Sequence, residues 1–140
     1  MSRVAVITVS DRVSRGEAVD RSGPAIVERL LLEGLVAGPV QVVPDEADQI
    51  EAAIVGAAAR AQLVLTTGGT GIGPRDHTPE VTSRVADYLV AGMAEEIRRV
   101  GREKTPLAVL SRGVVGVVGR RLGINLPGSQ SGAIESLEAV

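Results

Sequence analysis

The chain has 140 residues, a length that fits one domain, and carries 15 Lys and Arg against 17 Asp and Glu. It has no Cys, one His (His77), one Lys (Lys104) and one aromatic residue, Tyr88, which excludes thiol nucleophiles, iron–sulfur clusters, disulfides and thiolate zinc sites. A net charge of −2 argues in the same direction against nucleic acid, which calls for a cationic footprint and usually aromatic stacking.

Residues 3–9, RVAVITV, form a β-branched run that predicts a buried parallel strand. Its apolar stretch covers only six residues, too short for a signal peptide core or a bilayer span, so no membrane segment is expected and the expected compartment is the cytoplasm. A polar loop leads to Ser22, a candidate N-cap for a helix whose Ile26, Val27, Leu30, Leu31 and Leu35 share one face. Gly34, Gly38 and Pro39 mark its exit, and residues 40–43, VQVV, predict a second strand stopped by Pro44. Asp48 with Glu51 has the spacing of a capping box before a helix carrying Ile50, Ala53, Ile54, Ala57 and Ala61.

Residues 62–67, QLVLTT, predict a third strand that runs into a glycine-rich loop, GGTGIGP. Thr78-Pro79-Glu80 has the chemistry of a helix start, with Thr78 as N-cap. From there to Lys104 the chain reads as mostly helical, with breaks at Gly92 and Gly101; Arg98, Arg99 and Arg102 form a solvated helix face. Residues 114–126 predict two short strands around a Gly-Arg turn, then a loop, NLPGSQSG, and a final helix. The sum is a single domain over 1–140, an α/β fold of three α/β/α layers with a mainly parallel sheet and a small C-terminal β-hairpin piece.

In such folds ligands bind beyond the carboxyl ends of the strands. Three ends carry candidate residues: Ser10-Asp11-Arg12, Pro44-Asp45-Glu46, and the loop from Thr66 to Asp76. Asp11 and Asp45 are equally suited to capping helices. The glycine loop fits neither a Walker loop nor a dinucleotide fingerprint, because Pro74-Arg75 stands where lysine or glycine is needed. Its Gly68, Gly69 and Gly71, with the hydroxyls of Thr67 and Thr70, nonetheless suit phosphate oxygens. A bare glycine turn is the blander reading. Asp76 beside a phosphate cradle calls for a cation, so Asp45 and Asp76 suggest a Mg²⁺-assisted nucleotide site, with Arg75 placed to neutralise developing charge. His77 is read as a surface residue. Thr105-Pro106, Ser111-Arg112-Gly113 and Asn125-Leu126-Pro127-Gly128-Ser129 form a second cluster of polar turns, weak evidence singly.

These segments resemble the MogA/MoaB proteins of molybdenum cofactor biosynthesis, relatives of the gephyrin and Cnx G domains. The likeness rests on VSDR (9–12), DRSGP (20–24), VPDE (43–46), TTGGTGIGPRDHTPE (66–80), LSRG (110–113) and INLPGS (124–129), all in the family's order. It implies Mg-ATP-dependent adenylylation of the terminal phosphate of molybdopterin, with pyrophosphate released. By the same resemblance Asp45 and Asp76 are required, and Thr70 and Ser111 belong to the binding site. The C-terminal turns would hold the pterin through Ser111, Arg112, Asn125, Pro127 and Gly128. The family also implies a homotrimer, or a hexamer in the MoaB branch, and a downstream protein that inserts molybdate. Gly123 stands where the family usually has an apolar strand residue, which should weaken that strand. Two alternatives stay open: a MoaB-like protein that binds pterin or nucleotide without strong transferase activity, and an unrelated nucleotide-binding α/β module.

Overall fold

A computed structural model describes residues 3–140. Seven strands form one sheet: β1 (Arg3–Val9), β2 (Val36–Ala37), β3 (Gln41–Val43), β4 (Leu63–Thr67), β5 (Tyr88–Leu89), β6 (Val115–Val118) and β7 (Arg121–Leu126). The order is β2-β1-β4-β7-β6-β5, with β3 also paired to β1 beyond β2. Pairings among β1, β2, β3, β4 and β7 are parallel, and β5 and β6 close the far edge antiparallel. The helices are α1 (Asp11–Ser14), α2 (Ser22–Leu32), α3 (Ala47–Ala58), α4 (Thr78–Val85), α5 (Ala91–Lys104) and α6 (Gln130–Ala139), with a 3₁₀ segment at Pro106–Leu110. Among the described residues, no helix is long and apolar enough to cross a membrane.

Side chains alternate across a strand, and here both faces are covered, which is why β1 and β4 read as continuous apolar runs. Val4, Val6 and Leu65 face α2, α5 and α6 through Ile26, Leu30, Ala94, Ile97 and Ala133. Ile7, Val9 and Val64 face α3 and α4 through Ile50, Ala53, Ile54, Ala57 and Val81. With no Phe or Trp to fill space, Ala53, Ala57, Ala94 and Ala133 let the helices sit close to the sheet, and β-branched residues fill the gaps. Ile50 and Leu65 are fully buried. Truncating either to Ala should cost about 2–5 kcal/mol.

The three-layer architecture agrees with the sequence reading, but three local expectations change. The strand expected at 40–43 begins at Gln41, and β2 precedes it on the same edge of β1. The Asp48–Glu51 capping box does not form: α3 begins at Ala47, and Asp48 accepts from the N–H of Gln49 instead. The helical run expected from Thr78 to Lys104 is broken at residues 86–90, where β5 pairs with β6, whereas Gly92 and Gly101 both lie inside α5. Gly116 makes room for that edge pairing, since a β-carbon there would come within 2.8 Å of the Ala86 side chain. Finally, the expected C-terminal hairpin is present as β6 and β7, and it forms part of the main sheet. Its turn has the two positive φ values of a tight hairpin, Gly119 at 54° and Arg120 at 73°. Its second strand, β7, inserts beside β4 in the middle of the sheet, and Gly123 pairs there with Val64 and Gly116 without interrupting the strand.

Candidate functional site

The parallel strands β1, β3, β4 and β7 deliver Ser10-Asp11, Pro44-Asp45, Gly68-Gly69 and Pro127-Gly128 to one edge of the sheet. A cleft of about 440 Å³ opens there, lined by Asp45, Asp76, Gly68, Gly69 and Gly128 together with Ser10, Asp20, Ser22 and Ser129. The N-terminal ends of α2 and α6 both border it. Unpaired N–H groups and the helix dipole make such ends favourable for anions.

Gly68 and Gly69 are required by crowding and by conformation. Their φ values are 100° and 70°. A β-carbon on Gly68 would overlap the carbonyl oxygen of Val9, and one on Gly69 would overlap Thr78 Oγ1 while lying 3.2 Å from Asp45 Oδ1. The Gly68 N–H donates to Leu126 O at 3.0 Å, and Thr78 Oγ1 donates to Gly68 O at 3.0 Å. Thr78 is therefore not the N-cap of α4; that position falls to His77, which is half-buried, and the Thr78 hydroxyl reaches back into the glycine loop. Thr67, expected to offer its hydroxyl to phosphate, donates it to Pro127 O at 2.6 Å. Thr70 is buried.

Asp45 and Asp11 pin one another. Asp11 N–H donates to Asp45 Oδ2 at 2.9 Å, and Asp45 N–H donates to Asp11 Oδ1 at 3.0 Å. Neither aspartate caps a helix in the way sequence alone allows. Arg75 grips the same frame: Nε donates to Asp11 Oδ2 at 2.7 Å, and Nη2 donates to Asp11 Oδ1 at 3.1 Å and Glu46 Oε1 at 2.9 Å. A further bond from Nη2 to Asp45 O, 3.2 Å, ties it to the end of β3. Nε and Nη2 of Arg75 thus bond protein acceptors, and Nη1 is the part of the guanidinium to which the expected neutralising role would fall. Its hydrogen bonds, reinforced by the Asp45 N–H, hold the Asp11 carboxyl down at a pKa of about 2. Burial pushes Asp45 the other way, upward, and the Asp11 and Asp76 charges add to that rise.

Asp76 lies at the end of a tight turn. Its Oδ2 accepts from the Gly73 N–H at 2.8 Å, and Asp76 N–H donates to Gly73 O at 3.1 Å. A β-carbon at Gly71 or Gly73 would come within 2.9 Å of that same oxygen. These two glycines leave room for a carboxylate rather than only for a ligand. Arg112 spans the loop: Nε donates to Gly71 O at 2.8 Å, Nη2 to Asp76 O at 2.9 Å, and Nη1 to the Glu80 carboxylate. Its own N–H donates to Thr70 O at 2.9 Å.

Asn125 is held by the fold itself. It is buried, its Oδ1 accepts from Val114 N–H at 3.1 Å, and its Nδ2 donates to Thr66 Oγ1 and Thr82 Oγ1, both at 3.0 Å. The amide joins β4, β7 and α4, with both Nδ2 hydrogens and one Oδ1 lone pair engaged. Arg112 is likewise committed to the glycine loop. Ser111 and Pro127, by contrast, line a second cavity of about 210 Å³ with Ile97, Leu107 and Ala108, and Ser129 borders both cavities. Arg98 is no solvated residue either. Its Nη1 donates to Gly113 O at 2.8 Å and Ser111 O at 3.4 Å.

Sequence reasoning assigned no role to Asp20, Ser22 or Ser129 at the cleft, yet all three border it. Asp20 Oδ1 accepts from Gly23 N–H at 3.1 Å and its Oδ2 accepts from Thr8 Oγ1 at 2.9 Å, so it supplies the cap that Ser22 was expected to provide. An Asp three residues before Gly23 at a helix entrance was the available signal. Ser129 caps α6 by accepting from Gly132 N–H at 3.1 Å.

Two carboxylates bordering one cleft, with Asp45 raised in part by the charge of Asp76, suit a small hard cation. Among the described residues, no group of three or more His, Cys, Asp or Glu forms a metal cage. A pair of carboxylates is what Mg²⁺ uses when phosphates and water complete its shell.

A family model described as a probable molybdopterin binding domain matches residues 5–140. A molybdopterin adenylyltransferase of Helicobacter pylori is 39% identical over 143 residues, covering 98% of this chain and 80% of that protein. A molybdenum cofactor biosynthesis bifunctional protein of Synechococcus elongatus is 43% identical over 125 residues, 89% of this chain; the chain spans only 39% of that relative's length. The crystal structure of the molybdopterin biosynthesis enzyme MoaB from Thermus thermophilus superposes with a TM-score of 0.93 at 50% identity, covering 100% of this chain and 89% of that one. The matched residues, 5–140, include the two aspartates, the glycine loop and the C-terminal turns, and the chain belongs to the MogA/MoaB family of molybdenum cofactor biosynthesis proteins, those with a probable molybdopterin binding domain.

Proposed function

We propose that the protein is a molybdopterin adenylyltransferase that transfers the AMP moiety of Mg-ATP to the terminal phosphate of molybdopterin. The observation that carries the reading is the convergence on one cleft of Asp45, Asp76, the Gly68-Gly69 turn and two helix N-termini. Bringing two polyanions together requires offsetting their repulsion, and this edge offers dipoles and N–H groups that do so. A phosphate oxygen of molybdopterin forms a bond to the α-phosphorus of ATP. The bond from that phosphorus to its bridging oxygen breaks, and pyrophosphate leaves with the electron pair. The phosphate nucleophile is already ionised at neutral pH, so the reaction needs no protein nucleophile or general base, and a chain with one His and no Cys is adequate to it. Asp45 and Asp76 would hold the Mg²⁺, whose contribution is charge neutralisation on the transferring phosphates. Gly68 and Gly69 would form the nucleotide side of the cleft, with Thr70 and Gly71 continuing the same loop outside its lining. The cavity with Ser111 and Pro127, which shares Ser129 with the cleft, suits a flat pterin. Homotrimer or hexamer and a molybdate-inserting partner follow from the resemblance alone, cytoplasmic location from the short apolar stretch of residues 4–9, and sedimentation of the purified chain measures the first.

Incubation of the protein with molybdopterin, Mg²⁺ and ATP tests the reading, with AMP-modified pterin and pyrophosphate as the expected products. Asp76→Asn should abolish them while the far-ultraviolet dichroism stays unchanged. Identity of 50% to the Thermus thermophilus MoaB structure, against 39% to the adenylyltransferase of Helicobacter pylori, favours a second reading, a pterin- or nucleotide-binding protein without strong transferase activity. Tight pterin binding without product would establish it in place of the first.

A further inference from the structure

We infer that Arg112 is a positioning residue for Asp76 rather than a ligand contact, an inference that rests on the transferase reading for its catalytic consequence but not for its geometry. The loop it spans is anchored on its other side by Arg75, which bonds Asp11, Asp45 O and Glu46. Residues 72–75 are exposed, Ile72 at 70%, so apolar packing does not fix the turn that presents Asp76. Within the turn itself, the bonds that close it are those between Gly73 and Asp76. Arg112 joins the start of the turn, Gly71 O, to its end, Asp76 O, and ties both to Glu80 in the first turn of α4. Three acceptors on three segments match the planar fork of a guanidinium, and a lysine ammonium on a flexible stem does not reproduce that pattern.

Arg112 is itself held in aim. Arg98, from α5, donates to the carbonyls of Ser111 and Gly113, the residues on either side of it. Gly113 lies close to β7, where a β-carbon would sit 3.2 Å from Asn125 O. The chain of support therefore runs from α5 through Arg98 to the backbone of residues 111–113, and from there through Arg112 to the peptide groups flanking Asp76. The carboxylate of Asp76 is left out of this grip. It receives no bond from Arg112 and borders the cleft with Asp45. An arginine that holds the backbone of an acidic residue and leaves its carboxylate to the cleft fixes geometry without competing for a cation.

The test uses the full chain as wild type, Arg112→Lys and Arg112→Gln, with thermal melts confirming that each is folded. The first readout, independent of turnover, is amide hydrogen exchange at Gly73 and Asp76. Losing the clamp should accelerate it about tenfold, the effect of one or two hydrogen bonds. The second readout is adenylylation kinetics. Both variants should lose kcat by about 10- to 100-fold, as supporting residues commonly do, while KM for molybdopterin changes little. Unchanged exchange at Gly73 and Asp76 would overturn the clamp. Raised KM for molybdopterin with kcat retained would show a pterin contact instead, and full rescue by lysine would reduce the role to charge. If the wild type adenylylates nothing, the transferase reading fails and the exchange measurement still decides the clamp. Should Arg112→Gln not fold, Arg112→Lys carries both measurements.

Discussion

Two arginines frame the two aspartates of the cleft, and they do so with different chemistry. Arg75 grips carboxylates, those of Asp11 and Glu46, with one bond to a carbonyl. Arg112 grips carbonyls, those of Gly71 and Asp76, with one carboxylate, Glu80. Around Asp45 the frame is thus built from titratable, exposed charges, and its strength depends on pH and salt. Around Asp76 it is built mainly from peptide groups that carry no proton equilibrium in the working range. A single cleft has one edge framed mainly by ion pairs, which respond to solution conditions, and one framed mainly by peptide groups, whose response comes through Glu80.

Gly68→Ala should erase the distinction, and it carries the largest expected effect. Gly68 lies beneath both frames, bonded to Leu126 through its N–H and to Thr78 through its carbonyl. Placing a β-carbon against Val9 O at a positive φ should cost about 3 kcal/mol or more, read as a lower denaturation midpoint, with turnover lost alongside. Arg75→Gln attacks one side only. Turnover should fall about 10- to 100-fold, and raising the salt concentration should weaken the wild type toward the variant. Insensitivity of the wild type to salt would remove the contrast between the two arginines.

Acid titration sharpens the same contrast. The Asp11 pKa falls from 3.8 to about 2 in the folded protein, so the stability supplied by its pairing is fully present above pH 3.8 and is lost as pH drops toward 2. The stability difference between wild type and Arg75→Gln should shrink across that window, whereas the difference for Arg112→Gln should persist through it. Asp45 has the opposite sign. Its raised pKa means that the folded state is favoured below 3.8 and penalised as pH rises through the raised value. Asp45→Asn should therefore raise the melting midpoint at neutral pH by a small amount, about 1–2 °C, while abolishing adenylylation. A lower midpoint would mean that the ionised carboxylate stabilises its surroundings.

Much of the fold was legible because its strands are buried on both faces. The runs at 3–9 and 62–67 are apolar throughout most of their length, and polar residues end them at the sheet edge where the cleft forms. Asp45, Asp76 and the glycines were legible as candidates for the same reason, each lying in a loop that leaves a strand. What the sequence concealed was direction. Arg75, Arg112 and Asn125 carry donors that fit a phosphate or a pterin equally well, and nothing in their local spacing reveals that groups 11 to 64 residues away claim them. The edge strand β5 was concealed too, because two residues within a helix-like stretch acquire strand geometry only when β6 is present to pair with them.

Composition alone restricted the reaction class. With no Cys, one His and one Lys, the chain is left with carboxylates, arginines, hydroxyls and 17 glycines, and the order of its motifs placed it in a family. Tertiary structure decided how those residues are shared between protein and ligand. A donor has a fixed number of N–H groups, and only the folded chain shows which acceptors have already taken them. The glycines show it most plainly: Gly71 and Gly73 suggest a phosphate cradle in sequence, yet in the fold they are small because the Asp76 carboxylate occupies the space a side chain would need.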